Sequence, residues 1–564
     1  MKTRLLTLFA ALLCLAALPA TAAALDSPAG GDSGKIDPSV TAVLEATGGD
    51  DAIPVLVYIA AGGLEAVRAA VPQAVETTPL SVIDAVAAYL TPSEIAALAA
   101  SDAVEYIVAD NPVFGFDYRS SMDITNLTIG LGDVAAPGDG GPDGDGVTVA
   151  VLDSGVATTS DLGSSRIVGW KDFVNKKKLP YDDAGHGTFV AGLIAGDGTA
   201  SLPLESGGFA TMQFRGVAPA ADIVGIKVLD ASGQGRASAV IAGIVWAIVH
   251  KDEYGIRVLN LSIGSNPVGP VEMDPVARAV EAAWKHGIAV VCAAGNEGDF
   301  GPGGILSPGN SPYVITVGAS DTRQTASLGD DAVAAYSSVG PSLYDEYAKP
   351  DLVAPGNRLI SLRVPGSYID ENVPENLIPV ASYAPAAPAG TVPSYLMLSG
   401  SSTSAPVAAG AVALLLGQEP GLTPDDVKLR LLRTADPLAG ADVYRQGAGL
   451  IDVDGALADE AIADGYTLST DLGDGTTILD AATYARWDER VWSRYGWTKF
   501  KWTKFKWSKF KWTKFKWTDV AWTKFKWTKF KWTDVAWTKF KWTKFKWTDY
   551  EWAKFKWTIL LEGQ

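Results

Sequence analysis

GVTVAVLDSGV, residues Gly146–Val156, is the stretch on which the fold reading turns. Its apolar run is short and closes on Asp153-Ser154-Gly155, the pattern of a strand buried on both faces of a parallel sheet. Open α/β sheets collect functional groups at the carboxyl ends of their strands, which is where Asp153 falls. A turn-capping Asp would leave the same trace, so the surrounding segments have to decide.

DDAGHGTFVAG (Asp182–Gly192) lies next. Glycines on both sides of His186 permit close backbone approach, and TFVAGLIAG continues as a helix. The plain alternative is a helix start with an incidental histidine. Further on, VVCAAGNEGD (Val290–Asp299) reads as a buried strand that ends in a loop holding Asn296. Its amide suits an oxyanion donor, and equally a simple turn. LSGSSTSAPVAAGAVALLLG (Leu398–Gly417) places a Ser-rich, Gly-punctuated turn at the start of an apolar helix. Amides at a helix start favour negative charge developing at a serine, although an N-cap cluster has the same composition. The other histidines, His250 and His286, end helix-like runs and receive no chemistry.

Asp153-Ser154-Gly155, His186 in GHGT, Asn296 in AAGNEG and the serines before TSAP, in that order, resemble the subtilisin family of serine proteases. The Asp…His…Ser order is that of subtilisin and differs from chymotrypsin and the α/β-hydrolases. LDASGQGRASAVIAGIVWA (Leu229–Ala247) and VLNLSIG (Val258–Gly264) look like the family's substrate-flanking segments. KPDLVAPG (Lys349–Gly356) lies on the approach to the serine helix. The likeness covers about residues 145–455.

It implies an α/β fold: a subtilisin-like three-layer domain with a mostly parallel sheet. Ser402 would be the nucleophile, aligned through Gly400-Ser401-Ser402-Thr403-Ser404-Ala405-Pro406, with His186 as general base and Asp153 as the orienting acid. Asn296 and the Ser402 amide would bind the oxyanion. Substrate-binding positions would be Ser232, Gly233, Gly235, Leu261, Ser262, Gly264, Ala293 and Gly295, holding an extended peptide by strand addition. No charged selector stands near Ala293–Gly295 or Ser262–Asn266, so an apolar or uncharged P1 residue is expected.

The chain departs from the family at Thr403 (usually Met), Ser401 (usually Thr) and Phe189 (where a second histidine is common). None removes a proton-transfer group. Neighbouring serines leave Ser401 and Ser404 as competing nucleophiles, with the spacing to Pro406 favouring Ser402. The reaction needs no cofactor; the family leaves room for structural calcium, to which no residue is assigned. Between Ile360 and Leu396 a Pro-rich insertion reads as a surface loop.

Upstream, Met1-Lys2-Thr3-Arg4, an apolar run Leu5–Leu18 and small residues to Ala24 describe a secretory signal over 1–24 rather than a membrane span. Residues 25–120, with strand-like IPVLVYI and VEYIVAD around helix-like LEAVRAAV and TPSEIAALAA, read as a small α+β unit. It resembles an inhibitory propeptide, making the chain's own propeptide a partner, with maturation between Phe116 and Thr128. The catalytic domain is placed at 121–458.

An acidic linker (459–486) leads to a tail (487–564) with a tryptophan every five residues from Trp487 to Trp557, mostly as WTKFK. A five-residue step suits neither a helical stripe nor one continuous strand face. Short strands turned every five residues, stacked as a solenoid or meander of β character, are expected. Lysines among aromatic rings suit an anionic envelope polymer by charge and cation–π contact.

Composition bounds these readings. The 564-residue chain is 48% hydrophobic and 20% charged, as for a globular protein. Its net charge of −18 conceals a split: residues 497–564 carry 18 Lys against 5 acids, a net +13, and the remainder carries −31. Two cysteines, Cys14 and Cys292, exclude a disulfide framework and a Cys-rich zinc site. Secretion and a serine endopeptidase are therefore expected, with no transmembrane anchor. The competing class is a catalytically weak protease scaffold whose tail attaches to cell-surface polymers.

Overall fold

Thr148–Asp153 forms a strand with six consecutive buried residues, which requires cover on both faces. The computed structural model supplies that cover. It describes residues 35–37, 40, 41, 43, 44, 52–60, 63–71, 78–110, 112–115 and 142–469, apart from 268, 324, 326 and 327. The signal sequence, the maturation region Phe116–Thr128 and the tryptophan repeat lie outside the described residues.

The first sheet comprises β1 (Ile53–Ile59), β2 (Thr78–Leu80), β3 (Ala85–Leu90) and β4 (Val104–Ala109), in the order β2-β3-β1-β4. Helices α1 (Leu64–Ala70) and α2 (Pro92–Ala99) accompany it. Thr91 and Glu94 close a capping box at the start of α2, satisfying amides that the helix leaves open. IPVLVYI does not alternate polar and apolar because both faces are covered. Val55 and Val57 join Val67, Ile95 and Leu98 in a local core, while Leu56 and Tyr58 join the main one. A short strand β5 (Pro112–Gly115) follows.

The central sheet contains β6 (Thr148–Asp153), β7 (Ile167–Asp172), β8 (Asp222–Lys227), β10 (Ile256–Leu261), β12 (Ala289–Ala293), β13 (Ile315–Asp321), β14 (Ala332–Val333) and β15 (Leu352–Pro355). Its order is β14-β13-β12-β10-β6-β8-β7, with β15 also on β13, and every pairing except β13–β14 is parallel. Two short strands, β9 (Gln234–Arg236) and β11 (Ile263–Gly264), follow β8 and β10.

Helices α3 (His186–Ala195), α4 (Ala237–Val249), α5 (Pro275–Lys285) and α6 (Ser401–Gln418) cover the sheet, α4 packing on α5 and α6 on α3. In α6, residues Ser401–Leu416 are all buried, as expected for a helix that is apolar all round. α7 (Pro424–Thr434) ends this layer. The first sheet packs on the helices α4 and α5 through β2 and the turn Ser81–Ile83.

Two sequence readings need revision. The Ile360–Leu396 insertion is more than a surface loop: β16 (Leu359–Leu362) and β17 (Tyr395–Leu398) pair antiparallel at its neck, and Ile369 and Tyr383 are buried. Sequence with eleven polar residues and six prolines hides this, because the apolar anchors are few and widely spaced. The start of the acidic linker is also fastened down. Thr467 donates from its amide to Asp425 (2.7 Å), and Ser469 donates to Asp351 (2.6 Å).

Beneath β13 and β15, Asp351 is shared by two fully buried lysines. Lys349 Nζ stands 2.6 Å from Oδ2 and Lys428 Nζ 3.2 Å from Oδ1. Lys349 also donates to Thr316 Oγ1 (2.7 Å), and Lys428 to Val314 O (2.8 Å). Buried charges require such partners.

Candidate active site

Asp153 is the last residue of β6 and His186 the first of α3, so a strand end and a helix start face each other. Both Asp153 oxygens lie within hydrogen-bond distance of His186 Nδ1, at 2.8 and 2.9 Å. The Ser154 amide donates to Oδ1 (2.7 Å). Both side chains are buried. Gly187 explains the GHG motif: a Cβ there would strike Gly155 O and press within 3.0 Å of Asp153 Cβ. Gly185 sits at φ +93°, where a glycine is favoured.

Asp182, four residues before the histidine, was not singled out in the sequence. Its carboxylate accepts from Ser154 Oγ (2.9 Å), the Gly185 amide (2.8 Å) and both the amide and hydroxyl of Thr188 (2.8 Å each). It thereby ties the loop after β6 to the start of α3. The acid pair in DDAGH was the available signal. Lys227, fully buried at the end of β8, adds a second tie by donating to Ser154 O and to Asp183 Oδ1 (2.6 Å).

Burial disfavours a charged imidazole at His186, but the Asp153 carboxylate, helped by Asp182, outweighs it and raises the pKa above 6.5. A raised, carboxylate-oriented histidine suits a base that must hold a proton during a reaction.

Ser402 stands in the first turn of α6, where backbone amides have no acceptor within the helix. Its hydroxyl and Asn296 Nδ2 flank one spot: a Cβ on Gly400 would lie 2.9 Å from Ser402 Oγ and 3.1 Å from Asn296 Nδ2. Glycine at 400 leaves that space open. The Asn296 carbonyl is held elsewhere, accepting from the Ser401 amide (2.8 Å) and the Ser401 hydroxyl (3.1 Å). Ser401 Oγ in turn accepts from the Gly295 amide (3.0 Å). Ser401 is thus committed to the loop, and Ser404 points back to Gly400 O (3.4 Å). Of the three serines, Ser402 is the one whose hydroxyl borders the Gly400 space together with Asn296 Nδ2. Thr403 donates to Gly356 O (2.9 Å) and Gly400 O (2.8 Å), bonds that a methionine could not make.

Two of the expected substrate-binding positions lie beside β5. Gly264 in β11 pairs with Phe114, and Gly235 in β9 pairs with Val113, both antiparallel. Residues 112–115 therefore form the middle strand between the two segments. Ser232 and Gly233 make the turn before β9, with the Ser232 amide donating to Asp230 Oδ1 (2.9 Å). Leu261 ends β10, and buried Ser262 accepts from Asn260 Nδ2 (3.0 Å). Ala293 ends β12, and Gly295 follows at φ +113°. His250 and His286 stand apart; each hydrogen-bonds through Nδ1 to a carbonyl of its own helix, Trp246 O and Ala282 O (2.8 Å each). Among the described residues, no group of three or more His, Cys, Asp or Glu side chains is placed to hold a metal, and no helix is long and apolar enough to cross a membrane.

Comparison with known proteins places the chain in a family. Residues 144–456 match the model of the subtilase family of peptidases. Serine protease AprX of Bacillus subtilis (strain 168) is 41% identical over 319 residues, covering 56% of this chain and 66% of that protein. Subtilisin DY of Bacillus licheniformis is 33% identical over 56% of this chain and 91% of its own. Among solved structures, fervidolysin from Fervidobacterium pennivorans, a keratinolytic enzyme related to subtilisin, aligns with a TM-score of 0.55 at 24% identity. That match covers 73% of this chain and 62% of fervidolysin, and supports the fold.

Proposed function

The chain belongs to the subtilase family, and from that premise we propose that it is a secreted serine endopeptidase matured by removal of its own propeptide. Ser402 Oγ attacks the scissile carbonyl while His186 Nε2 takes its proton. Asp153, at 2.8 Å from Nδ1, holds the tautomer and stabilises the imidazolium. Negative charge on the tetrahedral oxygen is met by Asn296 Nδ2 and the Ser402 amide. The imidazolium then protonates the leaving amine, and water releases the acyl group from Ser402 by the same steps in reverse.

The reading is carried by a buried, carboxylate-bound His186 at the start of α3 and, at the start of α6, which packs on α3, a serine beside an anchored asparagine amide. Labelling with a fluorophosphonate tests it. The full chain should label, and Ser402→Ala should not; persistent labelling of the variant would refute the assignment.

The placement of residues 112–115 between β9 and β11 supports inhibition by the propeptide, since the strand takes the position an extended substrate would use. Uncharged surroundings at Ala293–Gly295 and Ser262–Asn266 support an apolar P1 preference, which a peptide-library digest cleaving mainly after Lys or Arg would overturn. For the tail we propose attachment to an anionic envelope polymer, on its +13 charge and regular aromatic rings. Deleting residues 496–564 should abolish retention on cell envelopes; unchanged retention would end that proposal.

A further inference from the structure

The Ile360–Leu396 insertion meets α3 at two places. In its neck, the buried Ser361 of β16 donates its hydroxyl to Phe189 O (2.8 Å). A Cβ on Gly192 would strike Ser361 Oγ and Leu362, so glycine is what lets β16 lie against the helix. The second contact is at the start of α3. The short helix Tyr368–Asn372 spends its first two amides on the turn before His186, Tyr368 donating to Asp183 O (2.9 Å) and Ile369 to Ala184 O (3.0 Å). Helix starts leave such amides without internal partners, so these bonds satisfy donors the short helix cannot pair itself. Ser367, just before that helix, closes on Gly185: a Cβ there would lie 2.5 Å from Ser367 Oγ and 3.1 Å from Ser367 Cβ. Ile369 is buried in the main core, which fastens the contact from behind.

The turn Asp183–Gly185 needs such support. Asp153 must keep His186 Nδ1 at 2.8–2.9 Å, yet His186 stands between two glycines, and Gly185 has no side chain with which to cap α3. Lys227 holds the Asp183 carboxylate and Asp182 holds the Gly185 amide. The carbonyls of Asp183 and Ala184 are held by the insertion. The helix Tyr368–Asn372 is itself fixed by an ion pair. Arg363 meets Asp370 with two nitrogens, Nε on Oδ1 and Nη2 on Oδ2 (3.0 Å), and donates from Nη1 to Pro393 O (2.9 Å). Asp370 Oδ2 also accepts the Gly366 amide (2.8 Å). With side chains 12% and 8% exposed, the pair is bidentate and largely out of water, which makes it stronger and more directional than a surface ion pair. One guanidinium thus joins the end of β16, the short helix and the approach to β17.

We propose that the insertion positions the general base: the Arg363–Asp370 pair sets the helix Tyr368–Asn372, whose first two amides fix the turn that presents His186 to Asp153. The proposal rests on the protease reading above and gives the insertion a part in it. Arg363, Asp370 and the Tyr368 amide are positioning groups, acting through the Asp183–Gly185 backbone. A base displaced by a fraction of an ångström loses rate while substrate binding is kept, so the effect belongs in kcat and not in KM.

Tyr368→Pro tests the amide directly. Proline is favoured at the first position of a helix, and the extended backbone of Ser367 (φ −74°, ψ 165°) suits a residue before proline, so the variant removes the N–H and keeps the helix. Tyr368→Ala, which keeps the amide, is the reference for loss of the ring. Cleavage of a fluorogenic peptide with an apolar P1 residue is measured, and active sites are counted by fluorophosphonate labelling carried to completion. Per labelled site, Tyr368→Pro should show kcat about tenfold below Tyr368→Ala, with KM within about twofold. Arg363→Lys, which keeps the charge and loses the fork, should lower kcat per site by about threefold with KM little changed. Equal kcat per site in Tyr368→Pro and Tyr368→Ala, or a change confined to KM or to the number of sites, overturns the proposal. Should Tyr368→Pro give no labelled sites, Arg363→Lys decides, and wild-type kcat per site in that variant overturns it. A wild-type chain that neither labels nor cleaves would instead count against the protease reading itself.

Discussion

Ser401 holds Asn296 by two hydrogen bonds to a single oxygen, its amide donating at 2.8 Å and its hydroxyl at 3.1 Å to Oδ1. An amide group fixed through its carbonyl has its NH2 end directed, and here that end lies beside the Gly400–Ser402 turn. A serine beside the proposed nucleophile thus orients the proposed oxyanion donor. Ser401→Ala should lower kcat by about tenfold with KM little changed, and Ser401→Thr should restore it, because the hydroxyl alone is needed. Asn296→Ala should cost about 100- to 1000-fold, the magnitude known for the corresponding donor in subtilisin. A KM effect without a kcat effect in Ser401→Ala would contradict this arrangement.

His186 titrates above its ordinary 6.5 because Asp153 and Asp182 outweigh its burial. A general base works when neutral, so the acid limb of the kcat/KM profile should lie above pH 6.5. Asp153→Asn should move that limb to lower pH and reduce kcat by about 10,000-fold. Linkage runs in the opposite sense to activity. A raised folded-state pKa gives stability that is fully present below the unfolded value and is lost as pH rises through the folded one. An acid limb that stays in place in Asp153→Asn would show that another group controls it.

Asp351 is the shared anion for Lys349 and Lys428. Burial pushes Lys349 down to about 7 even against that carboxylate. Asp351→Ala leaves two buried ammonium groups without their partner and should cost about 3–5 kcal/mol in reversible denaturant unfolding. A loss below 1 kcal/mol, by the same measure, would mean that the lysines reach water or lose their protons at little cost.

The insertion is tied to the loop after β6 through Tyr395, whose hydroxyl donates to buried Asp161 (2.6 Å) and contacts Ser201 Oγ (2.8 Å). Burial pushes Asp161 up to about 6, against this bond and one from the Ala200 amide. Tyr395→Phe removes a donor to a buried carboxyl and should cost about 1–3 kcal/mol. Because the bond favours the ionised form, the loss should be greater at pH 7.5 than at pH 4.5. Thermal unfolding at the two pH values checks the sign; an equal loss at both would remove Asp161 from the explanation.

Several elements were legible before any coordinates. Thr148–Asp153 as a buried strand, the helix from His186 and the buried helix from Ser401 follow from unbroken apolar runs and their glycine boundaries. The family followed from motif order. The insertion was misread because its buried anchors, Ile369 and Tyr383, are too sparse to make a periodic pattern.

By itself the sequence determined which segments are buried and in what order the reactive residue types occur, because periodicity and local backbone demands are written along the chain. Only the tertiary structure decided that Ser401 serves Asn296, that Asp182 and Lys227 tie the two halves of the proposed triad, and that residues 112–115 lie between β9 and β11. Those are pairings between residues from 6 to more than 100 positions apart. A hydrogen bond or a strand pair depends on which groups the fold brings within about 3 Å, and no local pattern encodes that distance.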